Sequence, residues 1–122
     1  MKIERAKKMI QQLAEIWGIP KPKYFFYERL SKAPRDTRAP YACRGFVGIK
    51  DGEPYIHFYG KYGRTKNVIV HEFILHYVPL LESLGKGRYT EEEAEENYKK
   101  TRELWEKYPG ANGYLAFVCM SL

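Results

Sequence analysis

Two histidines and a glutamate, His71, Glu72 and His76, sit within the segment 68–84, VIVHEFILHYVPLLESL, the longest apolar run of the chain. Polar groups in such a run are costly to bury unless something satisfies them. Neutral imidazole nitrogens and carboxylate oxygens are zinc donors, and catalytic zinc sites use three protein ligands and keep one position for water. A glutamate beside such a pair can also take a proton from that water. The alternative is ordinary bonding: the imidazoles to backbone or tyrosine, and Glu72 to a basic residue such as Arg44 or Arg64.

Spacing decides which chemistry is open. In the familiar H-E-x-x-H arrangement two histidines one helical turn apart bind the metal and the glutamate is the base. Here the run reads His71-Glu72-Phe73-Ile74-Leu75-His76, with one more residue between the histidines. At about 100° per residue, five steps carry His76 about 140° away from His71 on a regular helix. Two repairs exist. A π-bulge would absorb the extra residue, and Pro79 favours one because it has no N–H for the carbonyl of Leu75 and its ring crowds that carbonyl. Otherwise Glu72 and His76, four apart, share a face without any bulge, and Glu72 is a ligand rather than a base.

The elements that must position this cluster follow from periodicity. Apolar residues at three- and four-residue steps predict a helix over residues 2–17, ended by Gly18 with Pro20 beyond. The aromatic run YFFYERL (24–30) predicts a short strand. Asp51-Gly52 between strand-like runs predicts a hairpin. In it Val47 and Ile49 share a buried face with Ile56 and Phe58, and Tyr55, His57 and Tyr59 project outward. Pro54 places the second strand at a sheet edge. Thr65 or Asn67 can cap the central helix, and apolar residues on nearly all its sides predict burial. Thr90 with Glu93 forms a capping box for the last long helix, whose inner stripe is Ala94, Tyr98, Thr101, Trp105 and Tyr108. The apolar tail 113–122 is expected to pack. The sum is one α+β domain over 1–122: a small, mostly antiparallel sheet with an edge-strand hairpin, packed on a buried central helix, with N- and C-terminal helices around it.

This succession of hairpin, edge strand, VIVHEFILHY and a Glu-rich helix resembles the small zincin metallopeptidases. It is similar to SprT-like domains and to compact gluzincins, including the group related to ImmA/IrrE peptidases. The resemblance implies a zinc peptidase with His71 and His76 as ligands and Glu72 as general base. It implies a third ligand on the following helix, where Glu93-Ala94 matches the gluzincin pattern, with Glu92 and Glu96 as substitutes; Asn97 stands where gluzincins often carry a further acid. It also implies that peptide substrate lies extended along the edge strand, here Tyr55 to Tyr59. Tyr59 or Tyr62 would be near enough to that strand to stabilise an oxyanion.

Composition bounds the rest. The 122 residues suffice for one domain. Charged residues at 30% with prolines in the loops suit a heat-adapted protein. No apolar stretch reaches the roughly 20 residues of a membrane span, and the charged N-terminus lacks a secretory core, so no membrane association and a cytoplasmic location are expected. Cys43 and Cys119 are too few for a disulfide framework and read as buried thiols, with a single disulfide between them as the alternative. The net charge of +6 is uneven: residues 1–66 hold 15 Lys and Arg against 6 Asp and Glu, and residues 67–122 hold 6 against 9. The loop SKAPRDTRAP (31–40), with Lys32, Arg35 and Arg38 beside the aromatic strand, could hold single-stranded nucleic acid or an acidic partner. A metal-free binding protein on the same scaffold is therefore the alternative to a peptidase.

Overall fold

The first helix, α1 (Ile3–Ile16), buries Ala6, Met9, Ile10, Leu13 and Ala14 on one side and leaves its charged residues on the other. Gly18, at φ +61°, closes it: its N–H bonds Glu15 O and the N–H of Ile19 reaches back to Ala14 O, the paired bonds of a Schellman cap. The structure is a computed structural model and describes residues 1–110. The tail 113–122 and Cys119 lie outside the described residues.

Three strands follow: β1 (Tyr24–Tyr27), β2 (Gly45–Lys50) and β3 (Glu53–Tyr59). Asp51 and Gly52 both take positive φ, 53° and 78°, the two-residue turn that suits the twist of a hairpin. β2 and β3 are antiparallel, and β1 pairs parallel to β3 from Tyr24 opposite Ile56 to Tyr27 opposite Tyr59. The order is β1-β3-β2, so the sheet is mixed and β3 is its centre. This corrects the expectation of an edge strand from Tyr55 to Tyr59; among the described residues β2 and β1 are the edges. Pro54 is tolerated because its missing N–H would face the β1 side, where pairing begins only at Ile56, whose N–H bonds Lys23 O.

Both faces of β3 are covered. One carries Ile56 and Phe58 into the main core, with Phe26 and Val47 partly buried beside them. The other carries Tyr55, His57 and Tyr59, all buried, which corrects the outward placement of these three. The segment 31–40 folds over them: the Tyr55 hydroxyl donates to Thr37 O, and the Tyr59 hydroxyl accepts from Ala39 N–H. Arg38 holds this cover in shape by donating to the carbonyls of Ser31 and Ala33. Ile49, expected inside, is exposed near the hairpin tip.

The central helix is a rod in three parts: α2 (Lys66–His71), a π-helical turn (Glu72–Tyr77) and α3 (Val78–Ser83). Thr65 caps it, its hydroxyl accepting from Val68 N–H. The last helix, α4 (Glu91–Lys107), starts with both bonds of the capping box between Thr90 and Glu93. It buries Thr101, Leu104 and Trp105, and Trp17 Nε1–H donates to Thr101 Oγ1 at 3.0 Å, tying α1 to α4. Lys66 is buried beneath the end of α4, its ammonium over the Trp105 ring and bonded to the carbonyls of Trp105 and Tyr108, where a cation meets the negative end of the helix dipole. No helix among the described residues is long and apolar enough to cross a membrane.

Candidate metal centre

Widening of the central helix sets the site. The N–H of Val78 bonds Phe73 O, five residues back, and Pro79 stands at the start of α3. A regular turn would leave the Leu75 carbonyl facing a residue with no N–H; the wide turn absorbs one residue ahead of that proline. Its consequence is that residues five apart share a face. The His71 and His76 rings lie 5.3 Å apart, centre to centre. With Glu72 they form a group whose candidate ligand atoms all lie within 4.8 Å of one another. The chemistry that a regular helix forbids is thus restored by the bulge.

Solvent access differs among the three. Glu72 is 6% exposed, His71 is half-buried and His76 is exposed. Burial pushes the Glu72 carboxyl up to about 7. It also lowers the His71 and His76 pKa values, and the nearby charge of His76 lowers that of His71 further. At neutral pH both imidazoles are therefore held in the uncharged form that offers a lone pair. Among the described residues, two buried atoms of the cluster, His71 Nδ1 and Glu72 Oε2, have no hydrogen-bond partner. Neither Arg44 nor Arg64 pairs with the carboxylate; the Arg44 guanidinium lies over the Tyr62 ring instead. Buried polar atoms without a partner are uncommon in folded proteins, and this group could hold a metal ion. The two imidazoles and one carboxylate fit zinc or a similar divalent transition metal.

The remaining sequence candidates are placed elsewhere. Glu93 is exposed and accepts from Thr90 N–H through Oε1; neither it nor the exposed Glu92 and Glu96 belongs to the cluster. The capping role accounts for Glu93 in full. His57 and Tyr59 bond each other on the far face of the sheet, and Tyr62 is 54% exposed under Arg44. Lys32 and Arg35 are exposed on the covering segment, whereas Arg38 is turned onto its own loop.

Two neighbours of the cluster escaped the sequence reading. A Cβ on Gly45 would lie 2.6 Å from Glu72 Cγ, so β2 passes the carboxylate at a distance only glycine permits. Cys43, two residues before it, is a free thiol whose pKa is raised by burial first and by the Glu72 charge second. A glycine inside a strand pattern is a sign of close backbone approach, and Gly45 carried that sign. No family model, curated protein or solved structure matches the chain.

Proposed function

We propose that the protein is a metal-dependent hydrolase of peptide bonds, with zinc held by His71 and His76. The observation that carries this is the π turn, which brings two neutral imidazoles and an unpartnered carboxylate oxygen to one point. Zinc there would supply a Lewis acid that polarises a carbonyl and lowers the pKa of water. Glu72, with its pKa raised to about 7, has the basicity suited to accept a proton from water at neutral pH and to return it to a leaving amine. Among the described residues no fourth His, Cys, Asp or Glu joins the group.

Substrate is assigned to the edge of β2 that no other described strand pairs, in place of β3. Tyr59 N–H bonds Arg44 O, and bonding alternates along an antiparallel pair. Gly45, Val47 and Ile49 therefore turn their N–H and C=O groups away from β3. These groups can pair with an extended peptide, and Gly45 delivers that peptide next to Glu72.

The test is elemental analysis of protein purified without chelator, followed by peptide hydrolysis of wild type and Glu72→Gln. The expected outcome is one equivalent of zinc in both and hydrolysis in the wild type alone. Loss of zinc in Glu72→Gln makes Glu72 a ligand and overturns its role as base. Absence of metal after reconstitution in zinc overturns the proposal.

A further inference from the structure

The sheet face opposite the metal centre carries a second built feature. Phe25 and Tyr27 of β1 and Tyr55 and His57 of β3 line an open cleft of about 650 Å³, walled on one side by Pro34 and Thr37. The Phe25 and Tyr27 rings run nearly parallel at 25°, and both stand edge-on to the His57 ring. Phe25 is 41% exposed beside a half-buried Tyr27 and the buried Tyr55 and His57, so part of its ring is open to solvent at the cleft.

His57 supplies a polar contact in the aromatic floor, beside the hydroxyl of Tyr27. It is 1% exposed, and its hydrogen bond among the described residues is that between Nδ1 and the Tyr59 hydroxyl, at 2.9 Å. Tyr59 accepts from Ala39 N–H, so the network assigns its own proton to Nδ1 and leaves His57 as the Nε2–H tautomer. Burial holds this ring neutral, its pKa lowered to about 4. In this tautomer Nε2–H is the polar atom that His57 has left to offer the cleft.

The mouth is electrically balanced. Lys23 and Lys50 face Asp36, Asp51 and Glu53; Lys50 is paired with Asp36, and Glu53 with Lys86. A polyphosphate gains little there, and an N–H donor disfavours a bare cation. We infer that this cleft binds the ring of a nucleobase, stacked on Phe25 and Tyr27 and accepting a hydrogen bond from His57 Nε2. The ring is uncharged, planar and rich in acceptors, which the aromatic floor and the His57 donor match. It can come from a free nucleoside or from a base of a single strand, with Lys32 and Arg35 on the covering segment available to the strand's phosphates. The site does not depend on the metal centre across the sheet.

The test is calorimetric titration of the full chain with adenosine, guanosine, cytidine and uridine, and with a single-stranded oligonucleotide. At least one nucleoside is expected to bind, and Phe25→Ala, at an exposed position, to weaken it about tenfold, the scale of one lost stacking contact. His57→Phe keeps a ring and removes the donor; it should weaken binding comparably, and the His57 Nε2 resonance should shift on titration of the wild type. An oligonucleotide that binds more tightly than its nucleoside, and weakens on Arg35→Ala, identifies a strand as the source; equal affinities identify the free nucleoside. Binding absent at millimolar concentration for every probe, binding indifferent to Phe25→Ala, or preference for tetramethylammonium over all four nucleosides overturns the inference.

Discussion

Two buried ionisable groups sit on opposite faces of one small sheet and are treated in opposite ways. His57 is enclosed by aromatic rings and tied through Tyr59 to the backbone of its covering loop. Glu72 is enclosed almost as completely, yet one of its oxygens and the neighbouring His71 Nδ1 have no partner among the described residues. Burial disfavours the charged form of both, lowering His57 to about 4 and raising Glu72 to about 7. The difference lies in what each environment completes. The His57 face fixes one tautomer with hydrogen bonds, whereas the Glu72 face gathers three potential donors and supplies no counterpart. A polar cluster left open at a bulged helix is the arrangement expected where a ligand finishes the structure.

The contrast can be broken most forcefully by metal. Zinc at a hundredfold excess over its Kd should stabilise the wild type by about 3 kcal/mol, measured by denaturant unfolding. His76→Ala should abolish that gain while changing metal-free stability by less than about 0.5 kcal/mol, because His76 is exposed. Equal gains in both proteins would remove His76 from the site.

Next in size is the cost of ionising Glu72 without metal. Its folded pKa lies above the ordinary 4.5, so its favourable contribution is complete below about 4.5 and is lost as pH rises through about 7. In chelator, Glu72→Gln should therefore be more stable than wild type at pH 8 by roughly 2 kcal/mol and show no such advantage at pH 4. An advantage that does not vary with pH would show that the carboxyl is not desolvated.

His57 gives the mirror image. Its folded pKa lies below 6.5, so its contribution is present above about 6.5 and is lost as pH falls through about 4. In a Glu72→Gln background this acid loss should stand without the opposing Glu72 trend; the lowered His71 and His76 add to it in the same direction. Tyr59→Phe should cost about 1–2 kcal/mol at neutral pH by leaving His57 Nδ1 and Ala39 N–H unpaired. Smallest is Lys50→Ala: its partner Asp36 is exposed as it is, and the unfolding midpoint should stay where the wild type has it. A lower midpoint would mean that this pair helps hold the covering segment in place.

Much of this was legible beforehand for local reasons. The Schellman end of α1, the Asp51-Gly52 turn and the capping box of α4 each depend on residues a few positions apart, and each formed as its residues specify. The misplacements were all of one kind. Pro54 was consistent with a strand edge and equally with a central strand whose neighbour begins two residues later. Tyr55, His57 and Tyr59 alternate with the core residues, which predicts an outward face but is silent on what covers it. Glu93 fits a ligand pattern as well as a cap, and only the placement of α4 separates the two.

The sequence by itself determined that His71 and His76 could meet only on an irregular helix, since five residues do not make a whole turn of a regular one and Pro79 already withholds a donor. It also determined the hairpin, the caps and the amphipathic faces, because those are written in neighbouring residues. Tertiary structure decided the rest: that β3 lies in the middle, that segment 31–40 closes over its second face, and that Gly45 brings β2 against Glu72. These are pairings between residues distant along the chain, set by which faces bury together, and local pattern carries no record of them.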